Sequence, residues 1–237
     1  MPSEQPPATV DVVMPARNEA PTIAANVAAA AGCRHVREVL VVDDGSTDAT
    51  ASIAAAAGAR VLTRSSPTGS KAHAMDIGVQ ASDATHILFV DADCTGLTSA
   101  HLDAICEPVL AGEAEMSLGS FDYGVLTWLV LVLPPLSGER IIPRWVWDAV
   151  PAERLDGYTI ESRLDQVIAE GRHRTVVRRM RGVSHRTKRQ KLGKLQGMAG
   201  TVRMYRDLFA LVRPWGDVRW RTYWWYLRGL TIAPPAP

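Results

Sequence analysis

Two apolar runs in the first half of the chain end directly in carboxylates. Residues 38–42 lead into Asp43-Asp44, and residues 86–90 lead into Asp91-Ala92-Asp93. A continuous apolar strand is buried on both faces, which requires a parallel sheet covered by helices on either side. The neighbouring sequence supplies both parts. Further strand candidates lie at residues 10–14 and 60–63, and alanine-rich helical patterns fill residues 21–31, 48–57, 71–81 and 99–110. Pro21 suits a first helical turn, and Gly32 and Gly58 suit helix ends. Strand and helix thus alternate in a β-α-β-α-β-α-β rhythm, the mark of an α/β fold with a mostly parallel sheet. Ligands collect at the carboxyl ends of such strands. There the chain gathers Pro15-Ala16-Arg17-Asn18-Glu19, Asp43-Asp44-Gly45-Ser46-Thr47-Asp48 and Asp91-Ala92-Asp93.

Beyond Ser120 the rhythm loosens. The patterns predict a strand at residues 115–121, a short helix at 145–149, a helix at 159–169 and an arginine-dense strand at 175–183. Residues 191–213 carry Leu192, Leu195, Ala199, Val202, Tyr205, Phe209 and Val212 at steps of three and four, an amphipathic helical pattern. An aromatic, basic stretch follows at residues 220–230, and there is no internal repeat. The reading is a catalytic body at residues 1–190, with a nucleotide-binding half at 10–95 and an acceptor half at 96–190, then a basic, aromatic helical tail at 191–237.

Charge narrows the choice of partners. The formal net charge of the 237 residues is +1, yet residues 1–170 hold 10 basic and 23 acidic side chains while residues 171–237 hold 16 and 2. The acidic body opposes nucleic acid, and no recognition motif for it is present. The longest apolar run, residues 125–136, is about twelve residues against the roughly 20 that a membrane span needs, so the expectation is a soluble or peripheral protein. No signal peptide is visible in residues 1–9, and Cys33, Cys94 and Cys106 lack the spacing of a disulfide framework or a cysteine zinc site, which suits a reducing cytoplasm.

Two phosphate-binding devices are absent. A dinucleotide fingerprint needs a glycine-rich turn after the first strand, where Pro15 to Glu19 contains no glycine. A P-loop needs glycine where Arg64 stands and an unbroken Gly-Lys where Gly69-Ser70-Lys71 stands. A Mg2+ or Mn2+ ion held by Asp91 and Asp93 would neutralise a diphosphate instead. With 15 aspartates in 237 positions, composition alone yields roughly one such Asp-x-Asp pair. The weight of this one comes from its position after a buried strand.

The strings Pro15-Ala16-Arg17-Asn18-Glu19, Val41-Val42-Asp43-Asp44-Gly45-Ser46-Thr47-Asp48, Gly69-Ser70-Lys71 and Phe89-Val90-Asp91-Ala92-Asp93, in this order and spacing, resemble the amino-terminal half of GT-A fold glycosyltransferases of family 2. Leu136-Ser137-Gly138-Glu139-Arg140 and Gly157-Tyr158-Thr159-Ile160-Glu161 resemble the dolichol-phosphate-mannose synthase-like branch and also the family 81 glucosyl-3-phosphoglycerate synthases. The resemblance implies a Rossmann-like GT-A sheet with helices on both faces. It implies that Pro15, Ala16, Arg17, Glu19, Asp44, Lys71, Asp91 and Ala92 bind the donor nucleotide. It implies that Asp91 and Asp93 ligate the metal, joined by His185, and that Gly138, Glu139, Arg140 and Arg186 meet acceptor or diphosphate.

Glycosyl transfer builds negative charge on a leaving diphosphate, which metal and cationic side chains stabilise. An inverting enzyme also needs a carboxylate to deprotonate the acceptor. Glu161 is the candidate base, with Asp156 second, and a retaining enzyme would use Glu161 to balance charge instead. The expected donor is a UDP- or GDP-sugar and the expected acceptor a small phosphorylated or polyprenyl-phosphate molecule. A membrane surface and a second copy of the chain stay open as partners. Two competing readings are a nucleotidyltransferase, which the Pro15 to Glu19 string disfavours, and a non-catalytic membrane-surface module built on the tail.

Overall fold

The computed structural model describes residues 7–65, 69–121, 138–151, 160–185 and 220–236. The expected alternation is present. Strands β1 (Val10–Ala16), β2 (Val36–Asp43), β3 (Arg60–Thr63) and β4 (His86–Phe89) are separated by α1 (Ile23–Ala31), α2 (Thr50–Ala56) and α3 (Lys71–Ala81). After β4 come a two-residue strand β5 (Cys94–Thr95), α4 (Ser99–Leu110), β6 (Met116–Phe121), β7 (Arg140–Pro143) and α5 (Arg144–Asp148). The remainder comprises α6 (Ile160–Glu170), β8 (Thr175–Met180), β9 (Ser184–His185), α7 (Trp220–Gly229) and β10 (Leu230–Ala236).

Eight strands form one sheet in the order β10-β8-β6-β7-β4-β1-β2-β3, and β5 and β9 form a second, two-stranded one. Every pairing in the large sheet is parallel except those of β7, which runs antiparallel to both β4 and β6. This is the α/β, mostly parallel GT-A architecture expected from the sequence. The sheet is covered on both faces. Val10, Val12 and Met14 of β1 pack with α1, α2 and α4. Val13 of the same strand packs with α3, and that face continues through α5, α6 and Tyr226 of α7. Val12, Val13 and Met14 are all fully buried, and each such side chain contributes about 1.5–3 kcal/mol by leaving water.

Two strands of the large sheet depart from the sequence reading. β7 has two isoleucines between Arg140 and Pro143, too short an apolar run to register as a strand, and it is the antiparallel insertion between β4 and β6. Residues 230–236, read as part of a helical tail, instead pair in parallel with β8 and extend the main sheet. Their prolines sit on an edge strand, where a missing N–H costs no internal ladder bond. α7 docks beside them, with the Arg172 guanidinium 4.2 Å from the centre of the Trp225 ring. The amphipathic pattern at 191–213 lies outside the described residues, as do Asp156 and Arg186. Among the described residues no helix is long and apolar enough to cross a membrane.

Candidate active site

The carboxyl ends of β1, β2 and β4 meet along one edge. β1 pairs in register with β2 as far as Ala16 opposite Asp43, and Asp44 N–H then donates to the Ala16 carbonyl at 2.9 Å. The turns after both strands lock together. Asn18, with φ of 56°, accepts from Thr47 N–H at 2.8 Å, and its own N–H donates to Ser46 Oγ at 2.9 Å. Glu19 is buried and its N–H donates to Thr50 Oγ1 at 2.8 Å. Asp44, also buried, receives Arg64 Nη1 at 2.6 Å and the Ser70 N–H. Gly69 closes this corner. A Cβ there would lie 2.3 Å from the Arg17 guanidinium and 3.0 Å from Asp44, at a φ of +68° that already favours glycine. The structure thus brings Arg17 and Asp44 together around Gly69, next to Pro15, Ala16 and Glu19.

Lys71 opens α3, whose N-cap Ser70 accepts from His73 N–H. Its ammonium bridges Asp91 Oδ1 at 2.7 Å and Glu161 Oε1 at 2.8 Å. Burial opposes the charge on Lys71, but Asp91 and Glu161 outweigh it and hold the ammonium above the usual lysine range. Glu161 arrives in the first turn of α6, where a carboxylate also meets the helix dipole favourably. Gly138 lets Asp91 sit there, because a Cβ at 138 would lie 2.1 Å from Asp91 Oδ2.

The loop after β4 is held from α1. Thr22 Oγ1 and Asn26 Nδ2 donate to the Ala92 carbonyl at 2.8 and 2.9 Å, and Asn26 Nδ2 also reaches the Cys94 carbonyl at 3.0 Å. The β5–β9 ladder then sets Cys94 opposite His185. His185 Nδ1 lies 3.1 Å from Asp93 Oδ1, a contact across 92 residues of sequence. The ring also packs on Phe121, with centroids 4.1 Å apart. Burial works against protonating His185, and the carboxylates of Asp93, Glu139 and Asp91 outweigh it, so its pKa lies above that of an ordinary histidine.

Two overlapping donor sets result. Asp91, Glu139 and His185 offer ligand atoms within 4.8 Å of one another, and so do Asp93, Cys94 and His185. Carboxylate oxygens with an imidazole suit Mg2+ or Mn2+, so the residues present fit such an ion. Glu139 is fully buried and receives the Cys94 thiol at 2.9 Å. The resemblance implied that Glu139 meets acceptor or diphosphate, and its carboxylate lies in the first of these two sets. Arg140, expected in the same role, is held under α6. It is fully buried, and its Nη1 donates to the Glu161 carbonyl at 3.1 Å and Asp165 Oδ1 at 3.0 Å. Burial pushes the Asp165 carboxyl up to about 7 against the pull of Arg140.

The glycosyl transferase family 2 model matches residues 11–142, more than half of the chain. The chain belongs to glycosyl transferase family 2. Among solved structures it is similar to glucosyl-3-phosphoglycerate synthase from Mycobacterium tuberculosis. With the form in complex with Mg2+ and uridine diphosphate it shares 25% identity and a TM-score of 0.70, over 86% of this chain and 77% of that one. With the form in complex with Mn2+, uridine diphosphate and phosphoglyceric acid the values are 25% and 0.71, over 89% and 80%. A structure described as a mycobacterial protein is 27% identical with a TM-score of 0.56, over 69% of this chain, which spans 60% of that one. No curated protein matches the chain.

Thr22, Asn26 and Asp165 were not found from sequence. No local pattern distinguishes them. Each acts through a contact between elements far apart in the chain.

Proposed function

We propose that this family 2 member transfers a sugar from a nucleoside-diphosphate donor to a small phosphorylated or polyprenyl-phosphate acceptor, with Mg2+ or Mn2+ held by Asp91, Asp93 and His185. The observation that carries this reading is the His185–Asp93 contact, which joins the end of β4 to β9 at the strand edge where ligands collect. A uridine nucleotide is the preferred donor, since the similar synthase structures hold uridine diphosphate. A phosphorylated acceptor has the support of phosphoglyceric acid in one of them.

The residues divide the work by position. Arg17, Asp44 and the Gly69 corner would hold the base and ribose, with Pro15, Ala16 and Glu19 as their floor. When bound, the cation supplies positive charge against the leaving diphosphate. Lys71, held between Asp91 and Glu161, adds a second positive charge at the same place. Transfer breaks the bond from the anomeric carbon to the diphosphate oxygen and forms one to the acceptor oxygen, whose proton must leave. With inversion, Glu161 takes that proton; with retention, it balances charge on the sugar. The anomeric configuration of the product, read by NMR, separates the two.

The experiment is a panel of UDP- and GDP-sugars with Mg2+ or Mn2+ and both acceptor classes. Cation-dependent release of the nucleoside diphosphate, lost in Asp93→Asn, is the expected result. If no donor binds or turns over under any condition, the reading fails.

A further inference from the structure

We propose that Cys94 makes the cation cluster a thiophilic site as well, one that takes Zn2+ through Asp93, Cys94 and His185 and excludes Mg2+ or Mn2+ while it does so. The inference rests on reading this cluster as a cation site. It adds a ligand and an ion class that a carboxylate–histidine site would not have.

Three observations lead there. The Asp93, Cys94 and His185 donor atoms lie within 4.8 Å of one another, an oxygen, sulfur and nitrogen set. Zn2+ is bound by this combination, commonly with three protein ligands and one further position. The β5–β9 ladder pairs Cys94 directly with His185, so the backbone itself holds sulfur and imidazole side by side. Finally, Asp93 and His185 of this set are also the residues proposed above to hold Mg2+ or Mn2+, so the two kinds of ion compete for shared ligands. The order of affinities for divalent metals already favours Zn2+ over Mn2+, and a thiolate ligand widens the gap.

The binding step balances without a redox partner. The Cys94 thiol donates to Glu139 Oε1 at 2.9 Å. On binding, the S–H bond breaks, the proton passes along that hydrogen bond to the Glu139 carboxylate, and the sulfur lone pair bonds the ion. Burial and the carboxylates of Glu139, Asp91 and Asp93 hold the thiol pKa above the ordinary cysteine range. Among the described residues Cys33 and Cys106 enter no such set; both are buried in the core, Cys33 just after α1 and Cys106 within α4.

The test uses the full chain and reads the ligand, not turnover. Titration with Co2+ should give a near-ultraviolet thiolate-to-cobalt band that saturates at one equivalent and disappears when Zn2+ displaces the cobalt. X-ray absorption of the Zn2+ form should show one sulfur at about 2.3 Å beside nitrogen and oxygen neighbours. Cys94→Ser should lose the band and weaken Zn2+ binding by about tenfold or more, with Mn2+ affinity changed far less. The absorption measurement needs no variant, so it decides the matter even if Cys94→Ser folds poorly. A zinc shell of nitrogen and oxygen alone, a band that survives Cys94→Ser, or no binding of Co2+ and Zn2+ would each overturn the proposal. If the thiolate signals appear while no sugar donor is turned over, the site stands and the transferase reading falls.

Discussion

Replacing Lys71 with methionine removes one ammonium from between two carboxylates. Its partners Asp91 and Glu161 have side chains only 18% and 6% exposed, at 2.7 and 2.8 Å. At an effective dielectric of about 20, each pair is worth roughly 6 kcal/mol of gross attraction. Both carboxylate oxygens lie within 2.8 Å of one nitrogen, so they are at most about 5.5 Å apart and repel by about 3 kcal/mol once the lysine is gone. Desolvation of the three groups offsets most of the gross attraction, and breaking such a buried cluster by removing one partner costs about 3–5 kcal/mol. For a chain of this size that is a fall in melting temperature of about 10 °C or somewhat more. The assay is urea and thermal unfolding of the wild type, Lys71→Met, Glu161→Gln and the double variant. Adding Glu161→Gln to Lys71→Met should recover about half of the loss, because it removes the repulsion, and the cycle should give a coupling above about 1 kcal/mol. A Lys71→Met loss within about 0.5 kcal/mol, the range of an ordinary surface substitution, would refute the reasoning.

Other substitutions probe the parts around this cluster. Gly78→Ala would improve helix propensity by up to about 1 kcal/mol, but its Cβ would lie 2.4 Å from Val13 Cγ1. Overpacking of that kind costs about 1–3 kcal/mol, so denaturant unfolding should show a net loss, and a gain would contradict the packing. Asn26→Ala removes the donor shared by the Ala92 and Cys94 carbonyls, and Mn2+ affinity by calorimetry should fall about tenfold. Unchanged affinity would show that α1 does not position the loop. The Asp165 carboxyl titrates at about 7 in the fold against an ordinary value of 3.8. Since the folded value is the higher one, its contribution to stability is complete below pH 4 and is lost as pH rises through 7. Asp165→Asn should therefore flatten the stability profile between about pH 4 and 7, and an unchanged slope there would assign that slope to other groups.

The first half of this fold was legible because its signals are local. Residues 38–42 and 86–90 read as buried strands, and their carboxylate ends marked the edge where Asp44, Asp91 and Asp93 are found. Ser70 and Lys71 sit where a strand-to-helix turn places them. What was not legible depends on register between distant segments. β7 pairs Arg140 with Phe89, and that alignment turns Glu139 toward Cys94 and His185 while Arg140 goes under α6. A one-residue shift would exchange the two side chains, and nothing in Gly138-Glu139-Arg140 itself decides between them. His185 could be selected only through family resemblance, because a lone histidine 92 residues from Asp93 carries no spacing signal. Cys94 escaped for a related reason: cysteine spacing reveals sites made of repeated cysteines, not one built from a strand, its neighbour and a histidine across a two-residue ladder.

The central claim is that the end of β4 and the β9 strand share one divalent cation beneath a nucleoside diphosphate. Crystals of the full chain grown with Mn2+ and uridine diphosphate, measured for manganese anomalous scattering, test it most directly. The account expects a single strong peak bonded to Asp93 and His185, with the diphosphate reaching it from the Lys71 side. A manganese peak that touches neither residue, or a nucleotide bound away from Arg17, Asp44 and Lys71, would contradict it.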